Sequence, residues 1–195
     1  CSSHPLRNWR PEHLARLAEH AVTDLGMRVV LTGGPSELER RTAAEIRALC
    51  STPVTDLVGK DTLKQSIALL ERASVLITPD SGPAHIASAV GTPVIGLHAA
   101  TWSLRSGPWR SLDLCVDRFP EAARIHRKCE PEELRWGTRI EVPGVMDLVQ
   151  PDDVMARLEQ WADGRRDPAG SREASSLGSF SGDASSEGAG GPESG

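Results

Sequence analysis

The chain contains no run of lysine or arginine, no CxxC pair, no G-x-G-x-x-G fingerprint and no long apolar stretch. Each absence removes a class of function. With 22 Lys and Arg against 27 Asp and Glu, the net charge is -5; without a basic patch, nucleic acid is not an expected partner. No segment approaches the roughly 20 apolar residues that cross a bilayer, so membrane association is expected to be at most peripheral. Cys1, Cys50, Cys115 and Cys129 are widely spaced, which argues against structural disulfides or zinc and for a reducing, cytoplasmic compartment. Internal repeats are also lacking. The 195 residues suffice for one domain with a substantial core and a tail.

What is present is an alternation of helices and short apolar strands. Helical spacing covers Pro11 to Leu25, Ser36 to Cys50 and Thr62 to Ala73, and Ser36 with Glu39 reads as a capping box. Strands are expected at Arg28–Thr32, Val54–Val58, Ser74–Thr78, Val94–Leu97 and Leu112–Val116, and a closing helix at Pro151–Ala162. Strands this short, separated by helices, predict an α/β fold: a Rossmann-like parallel sheet with helices on both faces. Residues 1–162 form this domain. From Asp163 the composition changes: Gly and Ser supply 15 of the 26 residues between Gly170 and Gly195. Such a segment buries too little apolar surface to offset its ordering entropy, so 163–195 reads as a disordered tail.

The most specific chemistry lies in Thr78-Pro79-Asp80-Ser81-Gly82-Pro83-Ala84-His85. Pro83 sits where a first helical residue belongs and Gly91 just past the helix end. The first turn of such a helix offers unpaired N–H groups and the positive end of its dipole, an anion site. In an open α/β sheet, ligands bind at the carboxyl ends of strands, where this turn lies. A plain cap needs one Asp or Ser; Asp80, Ser81 and Gly82 together point to a ligand turn. His85, one turn inside the helix, is either part of that turn or a satisfied core residue.

Three other segments are candidates. Ser2, Ser3, His4 and Arg7 crowd before the first helix; hydroxyls and a guanidinium suit phosphate oxygens, although a frayed terminus would read the same way. Gly33-Gly34-Pro35 is either a close-approach turn or an ordinary strand-to-helix connection. Glu37 behind it is either a ribose acceptor or a first-turn acid favoured by the helix dipole. The loop Thr101–Trp109 could close over the same sheet edge, or its tryptophans could simply pack.

In this order the pieces resemble glycosyltransferase family 9, the ADP-heptose:lipopolysaccharide heptosyltransferases. The resemblance is carried by Asp80-Ser81-Gly82-Pro83-Ala84-His85-Ile86-Ala87, Gly91-Thr92-Pro93-Val94-Ile95-Gly96-Leu97 and Leu104-Arg105-Ser106-Gly107-Pro108-Trp109, with Ser2–Trp9 and Gly33-Gly34-Pro35 in register. It covers residues 1 to about 162. It implies the C-terminal, donor-binding half of a two-domain GT-B enzyme, and inverting transfer of a heptose or similar sugar from a nucleotide diphosphate to a lipid-linked glycan. Ser2, Ser3, Arg7, Ser81 and Gly82 would meet the donor diphosphate. Asp80 would contact the sugar, His85 would support that turn, and Glu37, with Ser36 as its rival, would reach the ribose. The family has many members with Lys where Arg7 stands. The resemblance implies no cofactor and no metal. It assigns the catalytic base to a missing N-terminal domain and the work to the inner face of the bacterial inner membrane.

Two other functions share this architecture: a sugar-nucleotide epimerase, and a non-catalytic nucleotide-sugar-binding module. The first residue, Cys rather than Met, suits either a mature lipoprotein or a chain cut from a longer reading frame. The second is preferred, because the sequence runs into helix without a tether. Asp117–Val145 yields no assignable chemistry.

Overall fold

The computed structural model describes residues 4–166. The chain divides into two units, Cys1–Ala162 and Asp163–Gly195; beyond Arg166 the tail, and with it the expectation of disorder there, lies outside the described residues.

Five strands and seven α-helices alternate through the described residues: α1 (Pro11–Thr23), β1 (Val29–Leu31), α2 (Glu37–Leu49), β2 (Val54–Asp56), α3 (Leu63–Arg72), β3 (Leu76–Pro79), α4 (Gly82–Val90), β4 (Val94–His98), α5 (Ser103–Ser106), β5 (Val116–Asp117), α6 (Phe119–Arg127) and α7 (Pro151–Arg166). Every strand pairing is parallel, as the helical crossovers require. The hydrogen bonds define two sheets, β1-β2 and β3-β4-β5, with Val29 opposite Val54 and Leu76 opposite Val94. All five positions of β4 are buried, the mark of the central strand of a covered parallel sheet.

Helix ends follow local chemistry. The Thr62 hydroxyl accepts from the Gln65 amide while the Gln65 side chain accepts from the Thr62 amide, a complete capping box. Helix α4 ends on Gly91, whose φ of 90° is left-handed; Thr92 N then bonds Ala87 O, a Schellman closure that favours glycine at this position. The Thr92 hydroxyl donates to Leu70 O at 2.6 Å, tying the end of α3 to the turn that enters β4.

Two differences from the sequence reading matter. Leu112–Val116 is not one strand: Leu112–Leu114 forms a 3₁₀ turn and β5 holds only Val116 and Asp117. Leu112 and Asp113 are both exposed, so the period-two burial of a strand is absent, and Asp117 ends the strand by accepting from the Phe119 amide at 2.8 Å. The unassigned stretch after it contains α6, whose Phe119, Ala122 and Ala123 are buried at helical spacing.

The segment before α1 is held by the segment before α7. Trp9 is buried and donates its indole N–H to Val149 O at 2.8 Å. Arg10 pairs with Asp147, and the two helices that follow are themselves tied by Arg16 to Asp152 at 2.7 Å. These ties position the 3₁₀ turn Pro5–Arg7.

Candidate functional site

The carboxyl end of β3 delivers Asp80 and Ser81 to the edge of the sheet. Thr78 donates to Pro79 O at 3.2 Å and lies 2.9 Å from the Ser81 hydroxyl. Either hydroxyl can be the donor of that second contact. The Ser81 side chain makes no cap for α4, and the Gly82 amide belongs to the first-turn donors that helix geometry leaves without a partner. Around a Cβ built at Gly82 no atom lies within 4 Å. Pro83 has no N–H and the Ala84 amide donates to Ser81 O at 3.1 Å, so the turn presents the Gly82 amide and a helix dipole to the outside.

Asp80 sits beside this helix start with its side chain only 11% exposed, and Arg7 faces it at 14%. Arg7 Nη1 is 3.8 Å from Asp80 Oδ2, and the Ser106 hydroxyl donates to the same oxygen at 3.2 Å. The loop carrying Ser106 is anchored from below. Ser103 N donates to Asp117 at 2.9 Å, and Trp102 stacks on Phe119 with centroids 5.9 Å apart. Trp109, in contrast, is exposed under the Arg110 guanidinium.

His98 lies beneath the turn, almost fully buried. Burial lowers its pKa below the ordinary 6.5, outweighing the opposing pull of Asp117 and Asp80. Gly96 makes room for it: a Cβ at 96 would lie 2.8 Å from His98 Nε2 and 2.9 Å from Cys115 Sγ. The same burial pushes the Cys115 thiol up to about 11.

The structure thus brings Arg7, Asp80, Ser81 and Gly82 to one sheet edge, with Ser106 and Glu141 beside them. His85 is exposed on α4. Ser2 and Ser3 lie outside the described residues. Glu37 is exposed at the start of α2, after the turn of the other sheet. Its rival Ser36 caps that helix: its hydroxyl accepts from Glu39 N at 3.3 Å and donates to the Glu39 carboxylate at 2.7 Å. Glu141 was missed by sequence reasoning. Its only local signal is the alternation Arg139-Ile140-Glu141, in which Ile140 is fully buried.

A family model described as glycosyltransferase family 9 (heptosyltransferase) matches residues 1–135. The lipopolysaccharide core heptosyltransferase OpsX of Haemophilus influenzae is 34% identical over 160 residues, 82% of this chain and 46% of that protein. A lipopolysaccharide heptosyltransferase 3 of Escherichia coli is 46% identical over 85 residues, 43% of this chain and 25% of that one. The chain therefore spans less than half the length of these two relatives. Among solved structures, E. coli ADP-heptose lps heptosyltransferase II superposes with a TM-score of 0.65 at 22% identity, covering 85% of this chain and 45% of the other. A glycosyl transferase family 9 protein from Veillonella parvula gives 0.64 at 20%, with 83% and 44% covered. The fold is shared with these two structures.

Proposed function

Because this chain belongs to glycosyltransferase family 9, we propose that it is the donor-binding half of an inverting heptosyltransferase. In this reading it holds ADP-heptose while the sugar passes to a lipopolysaccharide core or related lipid-linked glycan. The observation that carries the reading is the Asp80–Gly82 turn: a helix start without a side-chain cap, beside a recessed carboxylate and an arginine. The Gly82 amide, the α4 dipole and Arg7 would meet the diphosphate, whose charge grows as it leaves. Preorganised donors of this kind stabilise that charge without reorganisation. Ser81 would join them by turning its hydroxyl away from Thr78, and Ser2 and Ser3 remain diphosphate contacts on the strength of the family resemblance. Asp80 would accept from sugar hydroxyls, and Glu37 from the ribose.

Transfer also needs a base to deprotonate the acceptor. We assign that base to an N-terminal half, which the length of the relatives supports; no metal or cofactor is invoked. Among the described residues no helix is long and apolar enough to cross a membrane. The donor-binding half would work in the cytoplasm, at most resting on the inner membrane face. The relatives are described as heptosyltransferases, which favours neither an epimerase nor a non-catalytic binding module.

Calorimetric titration of the chain with ADP, UDP, GDP and ADP-heptose tests this reading. ADP-heptose should bind selectively. Asp80→Ala should weaken it about tenfold, the scale of one charged hydrogen bond, while leaving ADP nearly unchanged. Preference for another nucleotide would overturn the heptose assignment, and failure of every nucleotide to bind the folded chain would overturn donor binding.

A further inference from the structure

Arg7 does not face its site as a free cation. Its Nε and Nη2 both point at one oxygen of Glu141, at 2.7 and 2.6 Å. The other Glu141 oxygen lies 3.7 Å from His4 Nε2, so one carboxylate meets both ends of the Pro5–Arg7 turn. Glu141 is itself fixed: the preceding Ile140 is fully buried and donates its amide to Ala100 O at 2.8 Å, just past the end of β4. With Nε and Nη2 committed, Nη1 is the corner of the guanidinium nearest Asp80. A planar fork held along one edge has little rotational freedom left to lose when its remaining corner meets an anion.

We infer that Glu141 is a positioning residue for the donor diphosphate, acting entirely through Arg7. The inference rests on the reading above that Arg7 meets that diphosphate. It has a built-in opponent, since Glu141 is itself an anion near an anionic ligand and should repel it. Orientation of Arg7 must outweigh that repulsion. Without Glu141, the guanidinium is free to close on Asp80, the acid 3.8 Å away, and be lost to the ligand.

The two effects have opposite signs and separate in a double-mutant cycle, read as ADP binding by the 195-residue chain. Arg7→Ala should weaken ADP by about tenfold or more, the scale of a charged hydrogen bond. Glu141→Ala should weaken it about fivefold to tenfold on the same scale, and E141Q, which keeps an acceptor for Arg7, should recover most of the loss. In the Arg7→Ala background, Glu141→Ala should weaken ADP no further and should strengthen it slightly, because only repulsion remains. Equal weakening in both backgrounds would mean a merely structural role and would overturn the inference. Tighter ADP binding by Glu141→Ala with Arg7 present would also overturn it, by making Glu141 an antagonist. If the parent binds ADP and Arg7→Ala changes nothing, the role of Arg7 fails, and this inference with it, while donor binding stands. A parent chain that binds no ADP overturns both.

Discussion

Two strand-to-helix turns in this molecule carry a glycine just past the strand, before the N-cap in one and after it in the other, and end in opposite states. After β1, Gly33-Gly34 leads into α2, and the Glu39 side chain folds back over the turn: Gly34 N donates to Glu39 Oε1 at 3.0 Å. A Cβ at either glycine would lie 3.0 Å from a Glu39 carboxylate oxygen. After β3, Ser81-Gly82 leads into α4, and no acid follows in the first turn. One turn is answered by a carboxylate of its own chain, the other faces outward. Glycine after a strand therefore says little about binding; what the first helical turn does with its own side chains decides whether an external anion has anything to meet.

The largest expected effect comes from making the second turn like the first. Gly82→Asp places a carboxylate at the start of α4, where the space allows it. ADP binding measured by calorimetry should fall about a hundredfold, since like charges at close range cost several kcal/mol, while thermal stability holds or rises slightly. Retained ADP affinity would remove the α4 start from the site. The converse change is Glu39→Ala. Losing its bonds to Gly34 and Ser36 should cost about 1–2 kcal/mol in urea unfolding and leave ADP affinity within about twofold, because the Glu39 carboxylate is engaged by its own turn while Glu37, the proposed ribose acceptor, keeps its place on α2. A large loss of ADP binding would show that the filled turn takes part after all.

Smaller still is Gly34→Ala. Its Cβ meets only the end of a flexible glutamate, so a loss of about 0.5–1 kcal/mol is expected; a loss several times larger would mean Glu39 cannot yield. The last effect is nil at neutral pH and emerges on acidification. His98, beneath the outward-facing turn among Asp117, Asp80 and His85, has a folded pKa below 6.5. The unfolded chain therefore takes up the proton first. Its contribution to stability is full above about pH 6.5 and is lost as pH falls through the folded value. The melting temperature of the parent should drop more steeply below pH 6.5 than that of His98→Asn, and identical slopes would refute the assignment.

This contrast shows which features sequence could reveal. The Asp80 turn, its following helix and the glycine stop at 91 were legible, because each is fixed by residues within one turn of one another. The Ser36–Glu39 spacing predicted a capping box; Ser36 does accept from the Glu39 amide, but the returning carboxylate reaches Gly34 N instead of Ser36 N. Spacing gives the partners' proximity, and the approach angle of the chain decides which amide receives the acid. Leu112–Val116 misled because apolar residues were present without strand periodicity. Glu141 was illegible for another reason: its partner is 134 residues away, and no local pattern encodes a pairing at that distance.

The ties between the start and end of the described domain also govern when the site comes into being. Arg7 to Glu141, Trp9 to Val149 and Arg10 to Asp147 each span 134 to 140 residues. Closing loops of that length carries a large entropic cost before any contact offsets it. During synthesis the Asp80 turn can form on its strand and helix, yet Arg7 cannot be set against it until residue 149 has left the ribosome. With Arg7 in its proposed role, binding competence is one of the last properties this chain acquires as it folds, and a nascent chain stopped at residue 135 would have its glycine turns without Arg7 set beside them.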